Sequence, residues 1–124
     1  MNITDSEQKI LSILWEEGSL STMEIYKKLE GETNWSKQAV ISFLRRMETK
    51  GIVKYVEKGR AKLYSATITK DVVAKKQRGF LLNTFYQGKI GLMISEMVSE
   101  KSLSDGELKE LHEILDNLYK EGKE

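Results

Sequence analysis

The chain has 124 residues, of which 40% are hydrophobic and 31% charged, and its formal net charge is +1. This composition is typical of one globular domain, or of one compact domain with a small addition. Cysteine is absent, which excludes disulfides, zinc-thiolate sites and thiol nucleophiles. No apolar run reaches the roughly 18 residues of a membrane span, and the start lacks the pattern of a signal peptide. We therefore expect a soluble, cytoplasmic protein with no membrane insertion.

The charge is unevenly distributed along the chain. Between Thr33 and Ser65 there are eight basic residues and two acidic ones, a local net charge of +6. From Ser95 to Glu124 there are four lysines and nine acidic residues, a local net charge of −5. A basic middle and an acidic end indicate two surfaces with different roles.

Three helices are predicted in the first half of the chain. The pattern Ser/Thr-x-x-Glu, in which both side chains satisfy free backbone amides at a helix start, occurs at Thr4–Glu7 and at Ser21–Glu24. The first helix is expected to stop near Gly18 and the second near Gly31. The third spans Ser36–Gly51, with the serine as its cap and the glycine as its stop.

The third predicted helix has an apolar face and a polar face. At about 100° per residue, its apolar side chains share one stripe and its hydrogen-bonding side chains project from the opposite side. Trp35, beside the start of this helix, is expected to anchor the packing rather than stack on a ligand. The apolar stripe contains Val40, Phe43, Leu44 and Met47, and the polar face contains Gln38, Ser42, Arg45 and Arg46.

A hairpin is predicted after the third helix, with strands near 52–57 and 61–66, because this segment is rich in Val, Ile and Tyr. Gly59 can take a positive φ at the turn, which leaves Lys58 and Arg60 at an exposed tip. Three helices followed by a hairpin with a basic tip are typical of a winged helix-turn-helix. In that DNA-binding fold the third helix enters the major groove and the wing lies along the backbone or the minor groove.

In a winged helix-turn-helix, the polar side chains of the third helix and the wing would have two different roles. Gln38 and Ser42 can hydrogen-bond base edges, whereas the arginines and the wing cations would neutralise phosphates. An alternative is a winged-helix module that binds an acidic protein partner, or DNA without sequence preference. The predicted DNA-binding residues are Ser36, Lys37, Gln38, Ser42, Arg45, Arg46, Lys58, Arg60 and Lys62.

From Thr69 onward the chain is predicted to be helical again, with helices around 71–86 and 89–99 and from Asp105 to about Lys120. The last begins with a third Ser-x-x-Glu pattern. Three short amphipathic helices make a poor independent domain, whereas two copies packed together make a good one. The predicted dimerisation residues are Leu81, Phe85, Met93, Met97, Leu108, Leu111, Leu115 and Leu118.

The predicted fold class is therefore mainly α with a small β-hairpin. A winged helix-turn-helix DNA-binding domain is expected over residues 1–69 and a three-helix dimerisation domain over residues 70–124. No enzyme is expected, because the chain has no nucleotide-binding glycine motif and a single histidine, His112, without companion ligands. For the same reason no metal and no cofactor are expected.

The sequence resembles the penicillinase, methicillin-resistance and copper-transport repressors (the BlaI/MecI/CopY family). The resemblance rests on ITDSEQKILSILWEEG, the NWS entry to the third helix, FLRRMETKG, EKGRAKLYSA and GFLLNTFYQGKIGLMISEM. It implies an N-terminal winged helix and a helical C-terminal part that forms a homodimer on a palindromic operator. It also implies that Gln38, Ala39 and Ser42 contact bases and that Arg46 binds a phosphate.

Three departures from the family pattern bear on function. Penicillinase repressors typically have a lysine and two threonines where this chain has Gln38, Ala39 and Ser42, so a different operator sequence is expected. The family is inactivated by proteolysis at an Asn-Phe bond, downstream of a membrane sensor protease, and the corresponding position here is Glu96–Met97. The tail KEGKE also lacks the cysteines of the copper-responsive branch, which excludes copper sensing through thiolates.

Overall fold

The computed structural model describes residues 2–122 as six helices and a three-stranded antiparallel sheet. The predicted fold class, mainly α with a small hairpin, is confirmed. Within the described residues, no helix is both long and apolar enough to cross a lipid bilayer. The elements are α1 (Asp5–Glu17), β1 (Leu20–Ser21), α2 (Thr22–Leu29), α3 (Lys37–Lys50), β2 (Val53–Lys58), β3 (Ala61–Ala66), α4 (Lys70–Tyr86), α5 (Ile90–Ser99) and α6 (Asp105–Glu121).

The chain divides into two compact units, the first extending to Lys76 and the second beginning at Gln77. Helix α4 therefore contributes its first turns to the first unit and the remainder to the second. The domain boundary predicted between residues 69 and 70 stays a prediction. Met1, Lys123 and Glu124, which the predicted domains include, lie outside the described residues.

The helix starts follow the patterns in the sequence. Full capping boxes are present at Thr4, Ser21 and Ser104, each with the glutamate three residues later bonded back to the cap amide. Ser36 caps α3 with its side chain alone, and Gly51 ends that helix in the left-handed region at φ 78°. All four predicted helix starts are thus confirmed, and the backbone groups at these ends are satisfied locally.

The sheet has the strand order β1-β3-β2. Strands β2 and β3 form the predicted hairpin, with Tyr55 opposite Tyr64 and Lys58 opposite Ala61. Strand β1, which the sequence did not predict, pairs with β3 through Leu20 opposite Tyr64. This short strand fixes the hairpin to the chain between α1 and α2, so the wing is attached to the helical part of the first unit.

One hydrophobic core holds the first unit together, and all three of its leading helices and the sheet contribute to it. The indole N–H of Trp15 donates to the carbonyl of Ile68 at 2.9 Å, which ties α1 to the segment that follows β3. The buried apolar residues of this core are Ile3, Ile10, Leu11, Leu14, Leu20, Ile25, Leu29, Val40, Leu44, Met47, Ile52, Val53, Tyr64 and Val73.

Candidate nucleic-acid interface

The first turn of α3 presents two polar side chains to the exterior. The Ser36 hydroxyl oxygen accepts the backbone N–H of Ala39 at 3.1 Å, which fixes where the helix begins. Lys37 and Gln38 are exposed in the turn that follows, whereas Ala39 is half-buried. A long cation and a side-chain amide thus project from the start of the helix, the end that meets base edges in helix-turn-helix proteins.

The two faces of α3 are as predicted from its periodicity. Val40, Leu44 and Met47 are completely buried, and Phe43 is partly buried against them. On the other side, Gln38, Ser42, Arg45 and Arg46 are exposed. The core holds this helix by one stripe, so its hydrogen-bonding side chains are free to meet a ligand.

Arg45 and Arg46 are adjacent in sequence but point to different neighbours. Arg45 lines an open groove of about 410 Å³ between α3, the start of α2 and the wing. The guanidinium carbon of Arg46 lies 5.2 Å from the centroid of the Phe43 ring. That ring in turn meets Trp35 edge-on, with centroids 4.8 Å apart. The two arginines therefore extend the basic surface on both sides of the polar face of α3.

The groove concentrates positive charge. Among its described lining residues are four cations and no carboxylate, together with hydroxyl groups from the start of α2. An arrangement of this kind attracts an anion such as a backbone phosphate. The lining residues are Ser21, Thr22, Met23, Lys37, Ile41, Arg45, Arg60, Ala61, Lys62 and Tyr64.

The wing carries its cations at and beside the turn. Gly59 has φ 65°, a value that L side chains rarely adopt, and with Arg60 it forms the two-residue loop between Lys58 and Ala61. Lys58, Arg60 and Lys62 are all exposed. The Nζ of Lys62 lies 4.5 Å from the centroid of the Tyr55 ring. The hairpin thus presents three cations near the groove that α3 borders.

Lys50 belongs to the basic segment of the sequence but not to this surface. Its Nζ lies 2.6 Å from Oε1 of Glu7 and donates to the carbonyl of Asn2 at 2.9 Å. The Glu7 side chain is only 3% exposed. Lys50 therefore neutralises a buried carboxylate, and the count of basic residues between Thr33 and Ser65 overstates the charge available to a ligand by one.

The sequence did not indicate the groove residues Thr22 and Met23, because no local pattern relates the start of α2 to the wing. It did contain a signal for the ring beneath Arg46, since Phe43 is three positions earlier and i,i+3 side chains on a helix are neighbours. Trp35 packs against Phe43 and the core, as predicted for an anchor.

The predicted dimerisation residues lie in the second unit on α4, α5 and α6. Met93 and Leu111 are half-buried within the single chain, and the others are exposed. Phe85 and Leu118 are the most exposed of the set, at 63% and 58%. The exposed members are Leu81, Phe85, Met97, Leu108, Leu115 and Leu118. So much exposed apolar surface is typical of an interaction site.

Glu96 and Met97 are both exposed on α5. The Glu96 carboxylate accepts a hydrogen bond from the Tyr86 hydroxyl, and this bond is the main cause of the raised pKa of Tyr86. The position predicted to correspond to the family's cleavage site is therefore exposed, although it lies inside a helix. Over residues 2–122 no three His, Cys, Asp or Glu side chains cluster as a metal site would require, and His112 is exposed.

The class of the protein is defined by three packed helices, the third with an outward polar face, and a basic wing. It is a winged-helix regulator of the DNA-binding kind.

The family follows from comparison with known proteins. A family model described as Penicillinase repressor matches residues 3–117, so the chain belongs to the penicillinase repressor family. Membership makes it a transcriptional repressor rather than an enzyme. The Penicillinase repressor of Bacillus licheniformis is 30% identical over 123 residues, covering 98% of this chain and 95% of the relative. That of Staphylococcus aureus is 24% identical over 120 residues, covering 97% and 95%.

Solved structures show the same fold. The DNA-binding domain of the repressor BlaI is 28% identical with a TM-score of 0.52, covering 56% of this chain and 84% of that one. Monomeric BlaI of Bacillus licheniformis in complex with the blaP half-operator is 27% identical with a TM-score of 0.51, covering 57% and 87%. A mutant MarR of E. coli, at 18% identity and a TM-score of 0.55, resembles this chain in fold and covers 94% and 76%.

Proposed function

We propose that the protein represses transcription by binding a palindromic DNA operator as a homodimer. The observation behind this proposal is the exposed surface of α3 and the wing, where Gln38 and Ser42 stand among cations on both sides. The comparison with BlaI supports it, since that protein is solved with a half-operator and is similar to 57% of this chain. A repressor meets its operator in the cytoplasm, which is where the proposal places the chain.

In the proposed complex α3 lies in the major groove. The Gln38 amide can pair with N6 and N7 of adenine, and the Ser42 hydroxyl can donate to or accept from any base. Ala39 offers a methyl group to the methyl of thymine, although it is half-buried and its contact is limited. Ser36 and Lys37 lie at the helix start, where a hydroxyl and an ammonium group can bind the flanking phosphate. Gln38, Ala39 and Ser42 thus supply the sequence preference.

The phosphate contacts are assigned to the cations. Arg45, Arg60 and Lys62 meet at the groove, Arg46 lies on the opposite flank of α3, and Lys58 is beside the wing turn. Each neutralised phosphate releases counterions and contributes about −0.9 to the dependence of log K on log salt. The affinity of the proposed complex is therefore strongly salt-dependent.

The dimer is assigned to the second unit. Its exposed apolar side chains, such as Phe85, Leu115 and Leu118, give a single chain much apolar surface in water. Pairing two copies removes that surface from water and tethers two α3 helices. Tethering converts two weak half-site contacts into one strong one, because binding of the second half becomes intramolecular.

Release of the operator is a separate part of the proposal. Cleavage between Glu96 and Met97, under the indirect control of a membrane sensor protease, would detach part of the dimerisation unit. Both residues are exposed, which favours access, but α5 must unwind locally because proteases bind extended chains. Mass spectrometry of the protein recovered before and after induction tests this step, and an uncut chain under inducing conditions would contradict it.

The proposed function is tested by selecting genomic DNA fragments that bind the full-length protein and determining the motif they share. We expect a motif with two-fold symmetry. Recovery of fragments without a common motif would instead favour a module that binds DNA non-specifically, and failure to retain any DNA would favour an acidic protein partner for the basic surface.

A further inference from the structure

Two cations of the basic surface lie over aromatic rings, one on α3 and one on the wing. The guanidinium carbon of Arg46 is 5.2 Å from the centroid of Phe43, and the Nζ of Lys62 is 4.5 Å from that of Tyr55. Both distances are within the roughly 6 Å at which a cation is attracted to a ring face. The same arrangement thus occurs on two separate elements.

Each of these rings is held by a second ring. Phe43 meets Trp35 with centroids 4.8 Å apart, and Tyr55 meets Tyr64 with centroids 5.5 Å apart. Tyr64 is only 4% exposed and belongs to the core, while Trp35, Phe43 and Tyr55 pack against the core. The rings therefore have little freedom, and a cation attracted to them has a defined place above the surface.

A defined place matters because a long cationic side chain loses rotamer freedom when it binds a phosphate. If part of that freedom is already lost in the free protein, less is lost on binding. The face of Phe43 or Tyr55 attracts the charge without using any N–H of Arg46 or Lys62 in a conventional hydrogen bond. The donors of both cations remain available for phosphate oxygens.

We propose that Phe43 and Tyr55 are positioning residues, which hold Arg46 and Lys62 ready for two backbone phosphates before DNA arrives. The inference rests on the proposed function, since it needs a nucleic-acid ligand. It goes further by giving the two aromatic side chains a role in affinity that is separate from their role in packing.

The test uses equilibrium binding of the full-length protein to the selected duplex. Phe43→Leu and Tyr55→Leu remove the rings, whereas the matched controls Phe43→Tyr and Tyr55→Phe retain them. The leucine variants are expected to bind about two- to ten-fold more weakly, the range expected when one long side chain must be ordered on binding. The ring-retaining variants are expected to bind like the wild type. The salt slope should stay unchanged in all four, because no charge is lost.

Each leucine variant is also combined with loss of its cation, Arg46→Ala or Lys62→Ala. A positioning role predicts that removing the ring has no further effect once the cation is gone. An equal loss with and without the cation would show a purely structural role and overturn the inference, as would wild-type affinity of both leucine variants.

The same assay distinguishes failure of the proposed function from failure of this inference. A wild-type protein that binds no duplex would overturn the proposed function and this inference together. A wild-type protein that binds, with Arg46→Ala and Lys62→Ala both neutral, would overturn the inference alone. Thermal unfolding of every variant identifies any that do not fold, and the pair on the wing then serves as the independent test of the pair on α3.

Discussion

Glu7 and Lys50 join the start of α1 to the end of α3 through a contact of 2.6 Å between Oε1 and Nζ. The same carboxylate oxygen accepts the backbone N–H of Thr4 at 2.9 Å and so closes the capping box of α1. Glu7 is nearly completely buried, whereas the Lys50 side chain is about one-third exposed, at 32%. One carboxylate therefore both caps α1 and holds the last residue of α3.

Breaking this ion pair should destabilise the first unit. Lys50→Met leaves a buried carboxylate without its cation, and we expect a loss of about 2 to 3 kcal/mol in the free energy of unfolding, reduced from the value for a fully buried pair by the exposure of Lys50. Glu7→Gln is the matched variant, because glutamine can still complete the capping box. Urea unfolding of both single variants and the double variant measures the coupling, and strictly additive losses would show that the two side chains do not interact.

The stability of the protein should fall in acid partly through Glu7. Burial raises the pKa of this carboxyl, but the hydrogen bonds from Lys50 and from Thr4 outweigh burial and hold the pKa below its usual value of 4.5. The unfolded chain therefore binds the proton first as the pH falls. The contribution is fully present above the unfolded pKa and is lost as the pH falls through the lowered, folded value.

Urea midpoints between about pH 6 and about pH 3 measure this dependence. We expect Glu7→Gln to flatten the curve without abolishing it, since Glu24 and Glu107 also have lowered pKa values from the backbone and side-chain hydrogen bonds of their own capping boxes. A curve for Glu7→Gln parallel to that of the wild type would contradict the assignment.

Substitution of Arg46 and substitution of Gln38 should change DNA binding in different ways. Arg46→Ala is expected to weaken binding to all duplexes alike and to lower the salt slope by about 0.9 for each lost phosphate contact. Gln38→Ala is expected to leave the salt slope unchanged and to relax the preference at one base pair by about 1 to 3 kcal/mol. Titrations of a panel of duplexes at several salt concentrations separate the two effects. If both variants bound the whole panel like the wild type, α3 would not be the reading element.

Charged residues at Leu111 and Leu115 should abolish the proposed dimer and, with it, specific DNA binding. Leu115 is 54% exposed in the single chain, so Leu115→Asp alone tests the interface with little effect on the fold of the unit. Lys109→Glu, a charge change at another exposed position of α6, is the control and is expected to remain dimeric. Sedimentation and operator titration are measured on the same samples, and full operator affinity in a monomeric variant would refute the tethering account.

Much of the fold could be predicted because its determinants are local. The caps at Thr4, Ser21, Ser36 and Ser104 satisfy backbone groups within their own first turns. Short sequence patterns therefore predict the helix starts. The hairpin followed from β-forming residues around Gly59. Strand β1 could not be predicted, since two residues contain no periodicity and its pairing with β3 depends on tertiary structure.

The candidate interface was less predictable than the fold. The outward face of α3 follows from helical periodicity. Lys50, however, does not belong to the basic surface because it pairs with Glu7, which is 43 positions away. The contact of Lys62 with Tyr55 becomes predictable only when the register is known, because Tyr55 lies opposite Tyr64 and Lys62 is the diagonal neighbour on the same face. Local sequence patterns do not predict contacts that depend on tertiary structure or on strand register.

The central claim is that this protein reads a specific DNA sequence through α3. Its most direct test is an equilibrium competition at physiological salt between the selected palindromic duplex and a scrambled duplex of the same composition. We predict that the protein prefers the palindrome by about 10³-fold or more. Equal affinity for the two duplexes would contradict the claim and would leave the basic surface with a role in general DNA affinity or in binding a protein.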